Sequence, residues 1–291
     1  MKISLFGKSF QDNAVSYLTH LFDLIHAHNI HASVYEPYAQ YLAKKKVETG
    51  IVNTYSQPHE LEDTNVMVCI GGDGTLLEAV TLIGNKNIPI MGINTGRLGF
   101  LTTTPKHMIA SDFEKLLHNK YTIDKRTLIR IDTDADYFEG VNFGLNEFSI
   151  LKKDTSSMII VHTYLNESFL NSYWADGLIM ATPTGSTAYS LSCGGPVVMP
   201  NSSTFVITPI SPHNLNVRPL IINDDSVLTF RIESRSKNFM ISLDSRYKTV
   251  GAQVQITARK ADFHINLIEI ENHTFLDTLR EKLYWGIDKR N

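Results

Sequence analysis

Asp73 has the most distinctive chemical setting in the chain, Gly71-Gly72-Asp73-Gly74-Thr75. Glycines on both sides let the backbone turn sharply and let a ligand come close, because no Cβ stands in the way. Val66-Met67-Val68-Cys69-Ile70 before them reads as a buried parallel strand, and Leu76-Leu77-Glu78-Ala79-Val80 after them as a helix. The loop therefore lies between a strand's carboxyl end and a helix N-terminus, where open α/β sheets bind nucleotides with backbone N–H groups aimed at phosphate. A carboxylate in such a cradle repels phosphate unless it meets a metal, hydrogen-bonds a ribose hydroxyl or takes a proton. No Lys follows, so this is not a Walker loop. The alternative is a structural turn in which Asp73 only caps the helix.

Three further groups can join this chemistry. Asn94 to Leu101 is a second glycine-containing turn after an apolar strand, placed to face the first loop across a sheet crevice. Within it Phe100 can line a base pocket or belong to the core, and Arg97 can meet a phosphate. Asn146-Glu147 interrupts an alternating strand, and adjacent polar residues serve one ligand only at a strand end. The richest stretch runs from Ala175 to Pro196. There Leu178 to Ala181 is a strand, Pro183 to Ser186 a turn, and Thr187 to Ser192 is rich in hydroxyls. Such hydroxyls bind ligand hydroxyls or phosphates without adding charge. A turn that caps its own helix accounts for one or two of them, not all. Asp176 opens the strand, and its carboxylate suits an amide or a ribose hydroxyl. There is no Gly-x-Ser-x-Gly elbow, so Ser186 is not read as a nucleophile.

The elements that must hold these groups alternate β and α over the first ~120 residues, which implies a parallel, doubly wound sheet. Residues 2–6, His31 to Tyr35, 66–70 and Ile88 to Ile93 read as strands. Val15, Leu18, Phe22 and Ile25 recur at helical spacing, Pro37 opens a second helix, and Ser111-Asp112 can cap one containing Phe113, Leu116 and Leu117. Lys44-Lys45-Lys46 reads as a solvated helix end. Beyond Tyr121 the segments 126–133, 141–150, 158–165, 204–210, 226–232, 239–244, 253–258 and 263–270 are short and β-rich, which argues for a mostly antiparallel sheet. Phe275, Leu276, Leu279 and Leu283 mark a terminal helix with Thr274 and Asp277 at its start. The expected domains are 1–122, α/β; 123–270, β-rich; and 271–291, a helix packing back on the first.

Composition bounds the rest. The 291 residues are 43% hydrophobic and 20% charged, enough for a real core. A net charge of −3 points to neither nucleic acid nor membrane. Cys69 and Cys193 show no metal or disulfide spacing, which fits a reducing cytosol. The start Met1-Lys2-Ile3-Ser4 is too polar for a signal segment, and no apolar run approaches a membrane span. The histidines form no metal-binding cluster.

The first loop also occurs in phosphofructokinases and diacylglycerol kinases, but the ordered set is more specific. Gly71 to Thr75, Asn94-x-Gly96-x-Leu98-Gly99-Phe100-Leu101, Asn146-Glu147, Asp176 through Pro196 and Pro212-His213-x-Leu215-x-x-Arg218-Pro219 together resemble the ATP-dependent NAD kinases. The resemblance implies a Rossmann-like α/β N-terminal domain and a β-rich, mostly antiparallel C-terminal domain. It implies phosphoryl transfer from ATP to the 2′-hydroxyl of the adenosine ribose of NAD, a divalent metal such as Mg2+, and a cytoplasmic homotetramer or homodimer. By the same resemblance Asp73 is the catalytic base and Gly74 lies beside the ligand. Asn146, Glu147, Asp176, Thr187, Ala188, Tyr189, Ser190, Leu191 and Ser192 contact NAD, and Phe100 lies near the adenine. Ser157, Ser211 and Arg246 fall where the family has variable ligand contacts, Trp174 replaces a basic residue of some members, and no residue is assigned to a metal. Asp73 from one domain and the hydroxyl cluster from the other would place the site in an interdomain crevice. Two rival readings are a lipid kinase sharing the first loop and a dinucleotide-binding module without catalysis.

Overall fold

The structure, a computed structural model, describes residues 1–96, 99–153, 157–234, 236–270 and 274–284. The chain divides into two compact units, Met1–Lys125 with Ile265–Asn291, and Arg126–His264. Residues 265–270, expected with the β-rich domain, thus group with the first unit.

The first unit is built on the parallel strands β1 (Lys2–Gly7), β2 (His31–Tyr35), β3 (Asn53–Tyr55), β4 (Val66–Gly71) and β5 (Ile90–Asn94), in the spatial order β5-β4-β1-β2-β3. Every residue of β4 and β5 is buried, as expected for strands covered on both faces. The covering helices are α1 (Val15–Ala27), α2 (Glu36–Lys44), α3 (Asp73–Ile83) and α4 (Ile109–Leu117). Helix α1 buries Leu18, Leu21, Phe22 and Ile25, one stripe at i, i+3, i+4 and i+7. Helix α4 begins earlier than the expected Ser111-Asp112 cap, with Met108 at its N-cap. Ile109 is buried in the core and draws the start forward, while Asp112 pairs with Lys115 at 3.0 Å instead. Register sets Gly71 of β4 opposite Asn94 of β5, so the two glycine-containing loops leave the sheet as neighbours.

The second unit holds a six-stranded antiparallel sheet in the order Leu220–Asn223, Thr204–Ile210, Gly177–Ala181, Glu147–Lys152, Asn238–Leu243, Arg246–Gly251. Strands Ser168–Ala175, Ile159–Leu165, Leu228–Glu233 and the start of Ile256–Ile270 pair antiparallel beside one another. Leu178 and Phe205 from the first group pack with Val161 and Phe230 from the second in one core. The two segments expected at 253–258 and 263–270 are one strand, Ile256–Ile270. Its start pairs with Leu228–Phe230, and Leu267 pairs in parallel with Ile90 of β5, so the chain passes from one unit to the other within it. Strand Ser168–Ala175 was not expected, because its mostly part-exposed residues break the apolar alternation. The terminal helix Phe275–Leu283 carries the expected capping box between Thr274 and Asp277. Among the described residues no helix is long and apolar enough to cross a membrane.

One buried group works against this core. Tyr38 of α2 is fully buried, and its hydroxyl has no hydrogen-bond partner among the described residues. A buried hydroxyl without a partner carries a desolvation cost of about 1–3 kcal/mol. Tyr38→Phe should therefore raise stability, by roughly 1 kcal/mol, where most core substitutions lower it. Urea unfolding of the two proteins checks this, and a less stable variant would show that the hydroxyl is partnered in solution.

Candidate active site

Asp73 is the first residue of α3, yet it does not cap that helix, whose N-cap is Gly72. Its carboxylate reaches the second loop instead. Oδ1 accepts the N–H groups of Leu101 and Thr102 at 3.1 and 3.0 Å and the Thr102 hydroxyl at 2.9 Å. Oδ2 accepts the Phe100 N–H at 2.7 Å. A Cβ on Gly99 would fall 1.8 Å from Oδ1, so only glycine lets the loop close on the carboxylate. A Cβ on Gly72 or Gly74 would meet nothing within 4 Å, so the loop is open on those two sides. Phe100 turns its ring toward the terminal helix, 6.1 Å from the ring of Phe275 and 5.9 Å from the Lys282 ammonium. Arg97 lies outside the described residues.

In the second unit the polar pair Asn146-Glu147 stands where Phe143–Gly144 gives way to Glu147–Lys152. This break is held by a residue the sequence reading passed over. Asp244 accepts the N–H groups of Leu145, Asn146 and Glu147 at 2.8, 2.7 and 3.1 Å. It sits in a two-residue hairpin turn with φ of 52°, a conformation Asp tolerates better than most residues. Thr182 holds the other side, donating its hydroxyl to the Leu145 carbonyl at 2.6 Å. Burial pushes the Asp244 carboxyl up, against its three N–H donors and Arg246. Burial, with Asp244 beside it, likewise pushes Glu147 up to about 8, although the Tyr189 N–H donates to it. Asn146 Oδ1 and Glu147 Oε2 are buried without a hydrogen-bond partner among the described residues.

Asp176 is ion-paired with Lys152 at 2.6 Å, a cation the sequence reading did not single out. Antiparallel register brings them together, with Gly177 opposite Leu151. Lys152, Ser157, Trp174 and Glu233 line a cavity of about 460 Å³ beside this pair. Ser211 follows Ile210, whose carbonyl accepts the Asp176 N–H at 2.9 Å. The Tyr189 hydroxyl is raised by burial and then by the charges of Cys193, Asp176 and Glu147, so Glu147, Asp176 and Tyr189 share one neighbourhood.

The hydroxyl-rich segment is more self-contained than its composition implied. Ser186 donates to the Pro183 carbonyl at 2.6 Å, Thr187 to the Thr184 carbonyl at 3.2 Å, and Ser190 meets Thr208 at 2.8 Å. Ala188 and Leu191 are part-exposed, and Ser192 is exposed. Arg246 donates to the carbonyls of Val141 and Phe143 and lies over the Phe138 and Phe143 rings, so its guanidinium braces the chain before Asn146. Asp73, Gly74 and Phe100 thus lie in the first unit, and the remaining candidates lie in the second.

A parallel sheet with a carboxylate-bearing glycine loop at its carboxyl edge, joined in one chain to an antiparallel unit with buried polar groups, defines a nucleotide-handling two-domain protein. Residues 7–121 match the ATP-NAD kinase N-terminal domain and residues 145–270 the ATP-NAD kinase C-terminal domain. The NAD kinase of Cytophaga hutchinsonii is 47% identical over 292 residues, covering 100% of both chains. Yeast NADH kinase, solved with NADH, superposes with a TM-score of 0.88 at 21% identity, over 99% of this chain and 88% of that one. An Archaeoglobus fulgidus NAD kinase, solved with ATP, gives 0.74 at 23% identity, over 98% and 99%. The chain belongs to the NAD kinase family.

Glu147 leaves a signature in stability. Its folded pKa of about 8 lies above the ordinary 4.5, so between these values the folded chain holds a proton that the unfolded chain has released. The stabilisation is complete below 4.5 and is lost as pH rises through 8, with a slope of at most about 1.4 kcal/mol per pH unit. Glu147→Gln should flatten the fall in stability across this range, leaving the same-direction contribution of Asp244. Urea unfolding at a series of pH values reads the slope directly, and equal slopes would refute a protonated Glu147.

Proposed function

We propose that Asp73 is the base that takes the proton of the 2′-hydroxyl of the adenosine ribose of NAD as the γ-phosphoryl group of ATP is transferred to it. The chain phosphorylates NAD with ATP to give NADP. The observation that carries the assignment of Asp73 is its setting. The carboxylate is fixed by four hydrogen bonds in a glycine loop that is open on the Cβ sides of Gly72 and Gly74. A ribose hydroxyl is a weak nucleophile, and a carboxylate within hydrogen-bond reach raises its reactivity as the bond to phosphorus forms. Positioning and charge neutralisation supply most of the rest in phosphoryl transfer.

In the second unit the unpartnered Asn146 Oδ1 and Glu147 Oε2 suit a ligand with paired hydroxyls, one group accepting and the protonated Glu147 able to donate. Asp176, with its charge balanced by Lys152, suits a carboxamide or a ribose hydroxyl. Thr187 through Ser192 border this region, and the Tyr189 hydroxyl feels the charges of both carboxyls. Ser157 is assigned to the neighbouring cavity, and Phe100, Gly74, Ser211 and Arg246 to ligand contact or its support.

The described residues contain no group of three or more His, Cys, Asp or Glu side chains able to hold a metal. The donor set fits Mg2+ carried on the phosphates of ATP, an ion that keeps its waters and takes few protein ligands. When bound it neutralises charge on the transferring phosphoryl group. Two free cysteines accord with a cytoplasmic site of action.

Asp73→Asn tests the base. An Asn carbonyl in the place of Oδ1 keeps three of the four hydrogen bonds, so the loop stays held while the proton acceptor is gone. NADP formation from NAD, ATP and magnesium should fall by roughly 10²–10⁴-fold, with NAD affinity by calorimetry retained and no rescue by excess magnesium. Near-normal turnover would end the assignment.

By the family resemblance the chain forms a homodimer or homotetramer. Light scattering should give two or four times the 32.8 kDa chain mass, and a 32.8 kDa particle at micromolar concentration would refute it.

A further inference from the structure

We propose that Thr102 is a positioning residue of this active site. By filling Oδ1 of Asp73 it leaves Oδ2 as the oxygen that takes the substrate proton. The inference rests on the assignment of Asp73 as the base.

The two carboxylate oxygens are not equivalent. Oδ1 accepts three hydrogen bonds, two of them from Thr102, through its N–H at 3.0 Å and its hydroxyl at 2.9 Å. Oδ2 accepts one, from the Phe100 N–H at 2.7 Å. A carboxylate offers about two acceptor positions on each oxygen, so Oδ1 is full and Oδ2 keeps a lone pair. Gly99 presses its backbone against Oδ1, where a Cβ would fall 1.8 Å away, so a substrate hydroxyl has no approach to that oxygen.

The Thr102 hydroxyl is itself aimed. Its side chain is fully buried, and Asn94 Nδ2 donates to Oγ1 at 2.9 Å, which directs the hydroxyl hydrogen to Asp73. The Gly96 N–H donates to Asn94 Oδ1 at 2.8 Å and fixes which end of that amide faces Thr102. Donors therefore run in one direction, from Gly96 through Asn94 and Thr102 to Asp73. This relay starts at the end of β5, a buried strand, so the carboxylate is oriented from the rigid sheet.

In the reaction the 2′-hydroxyl oxygen forms a bond to the γ-phosphorus with its own lone pair. The bond from that phosphorus to the β,γ-bridging oxygen breaks, and its electron pair leaves with ADP. The hydroxyl proton passes to Asp73 Oδ2 and is later released to solvent. Thr102 touches neither substrate nor phosphate. It sets the angle at which Oδ2 meets the hydroxyl, to which such a transfer is sensitive.

Three variants separate positioning from stability: Thr102→Ser, Thr102→Ala and Thr102→Val. Ser and Ala both lose the buried methyl and differ only in the hydroxyl, while Val keeps the volume without it. The expected result is Ser within about threefold of the parent kcat, and Ala and Val lower by about tenfold or more. KM for NAD and for ATP should stay within about twofold in all three. Ala removes the Oγ1 acceptor of Asn94 Nδ2 and should melt below Ser, so kcat is compared at a temperature well below both transitions, where each variant is folded. If Val does not fold, the Ser and Ala pair decides. Ala turning over as fast as Ser, or a loss lying in KM, would overturn the role of Thr102. Asp73→Asn is measured alongside: if it retains turnover, the base assignment falls and this inference with it. An inactive Asp73→Asn beside an active Thr102→Ala removes Thr102 alone.

Discussion

Irregular backbone at the edge of a parallel sheet must find acceptors for its N–H groups, because a buried amide without one costs about 1–3 kcal/mol. The loop after Asn94 finds them for Phe100, Leu101 and Thr102 on the carboxylate of Asp73. Register between β4 and β5 sets the two loops side by side, and Gly99 allows the close approach. The local fold of the first unit at this edge hangs on that carboxylate. The same four hydrogen bonds fix the orientation of the carboxylate, on which the proposed role of Asp73 as a base depends.

The second unit uses the same device at another place. Asp244 gathers the N–H groups of Leu145, Asn146 and Glu147 and so keeps the strand broken at Asn146 and Glu147. A buried carboxylate has a cost, seen in the raised pKa of Asp244 itself and passed on to Glu147. In a region of low dielectric burial pushes both carboxyls up, and the charge of Asp244 further disfavours ionisation of Glu147. Arg246 belongs to the same balance. Its charge favours ionised Asp244, and its donors go to backbone carbonyls, as a buried guanidinium requires.

Where the sequence reading and the structure part, the cause is partner choice. A hydroxyl offers one donor and two acceptor positions and takes whatever lies nearest, so Thr187 and Ser190 find partners within the protein, which composition alone does not reveal. Ser111-Asp112 fitted a helix start, but burial of Ile109 moved it forward. Strand Ile256–Ile270 read as two segments because its middle residues, Arg259, Lys260 and Asp262, interrupt the apolar pattern.

The family was legible as a resemblance carried by motifs spread from Gly71 to Pro219. Local residue type and spacing were enough to determine the strand-loop-helix unit around Asp73, the alternation of the first unit and the change of texture after Tyr121. All of these depend on neighbours within a few positions, where periodicity and glycine geometry act. Tertiary structure alone decided that Asp73 meets residues 27–29 positions away and that Asp244 meets residues 97–99 positions away. It also decided that Lys152 balances Asp176 and that burial beside Asp244 pushes the Glu147 carboxyl up. These contacts depend on sheet register and burial, and a hydrogen bond weakens steeply beyond its narrow range of distance and angle. Sequence spacing carries no record of either.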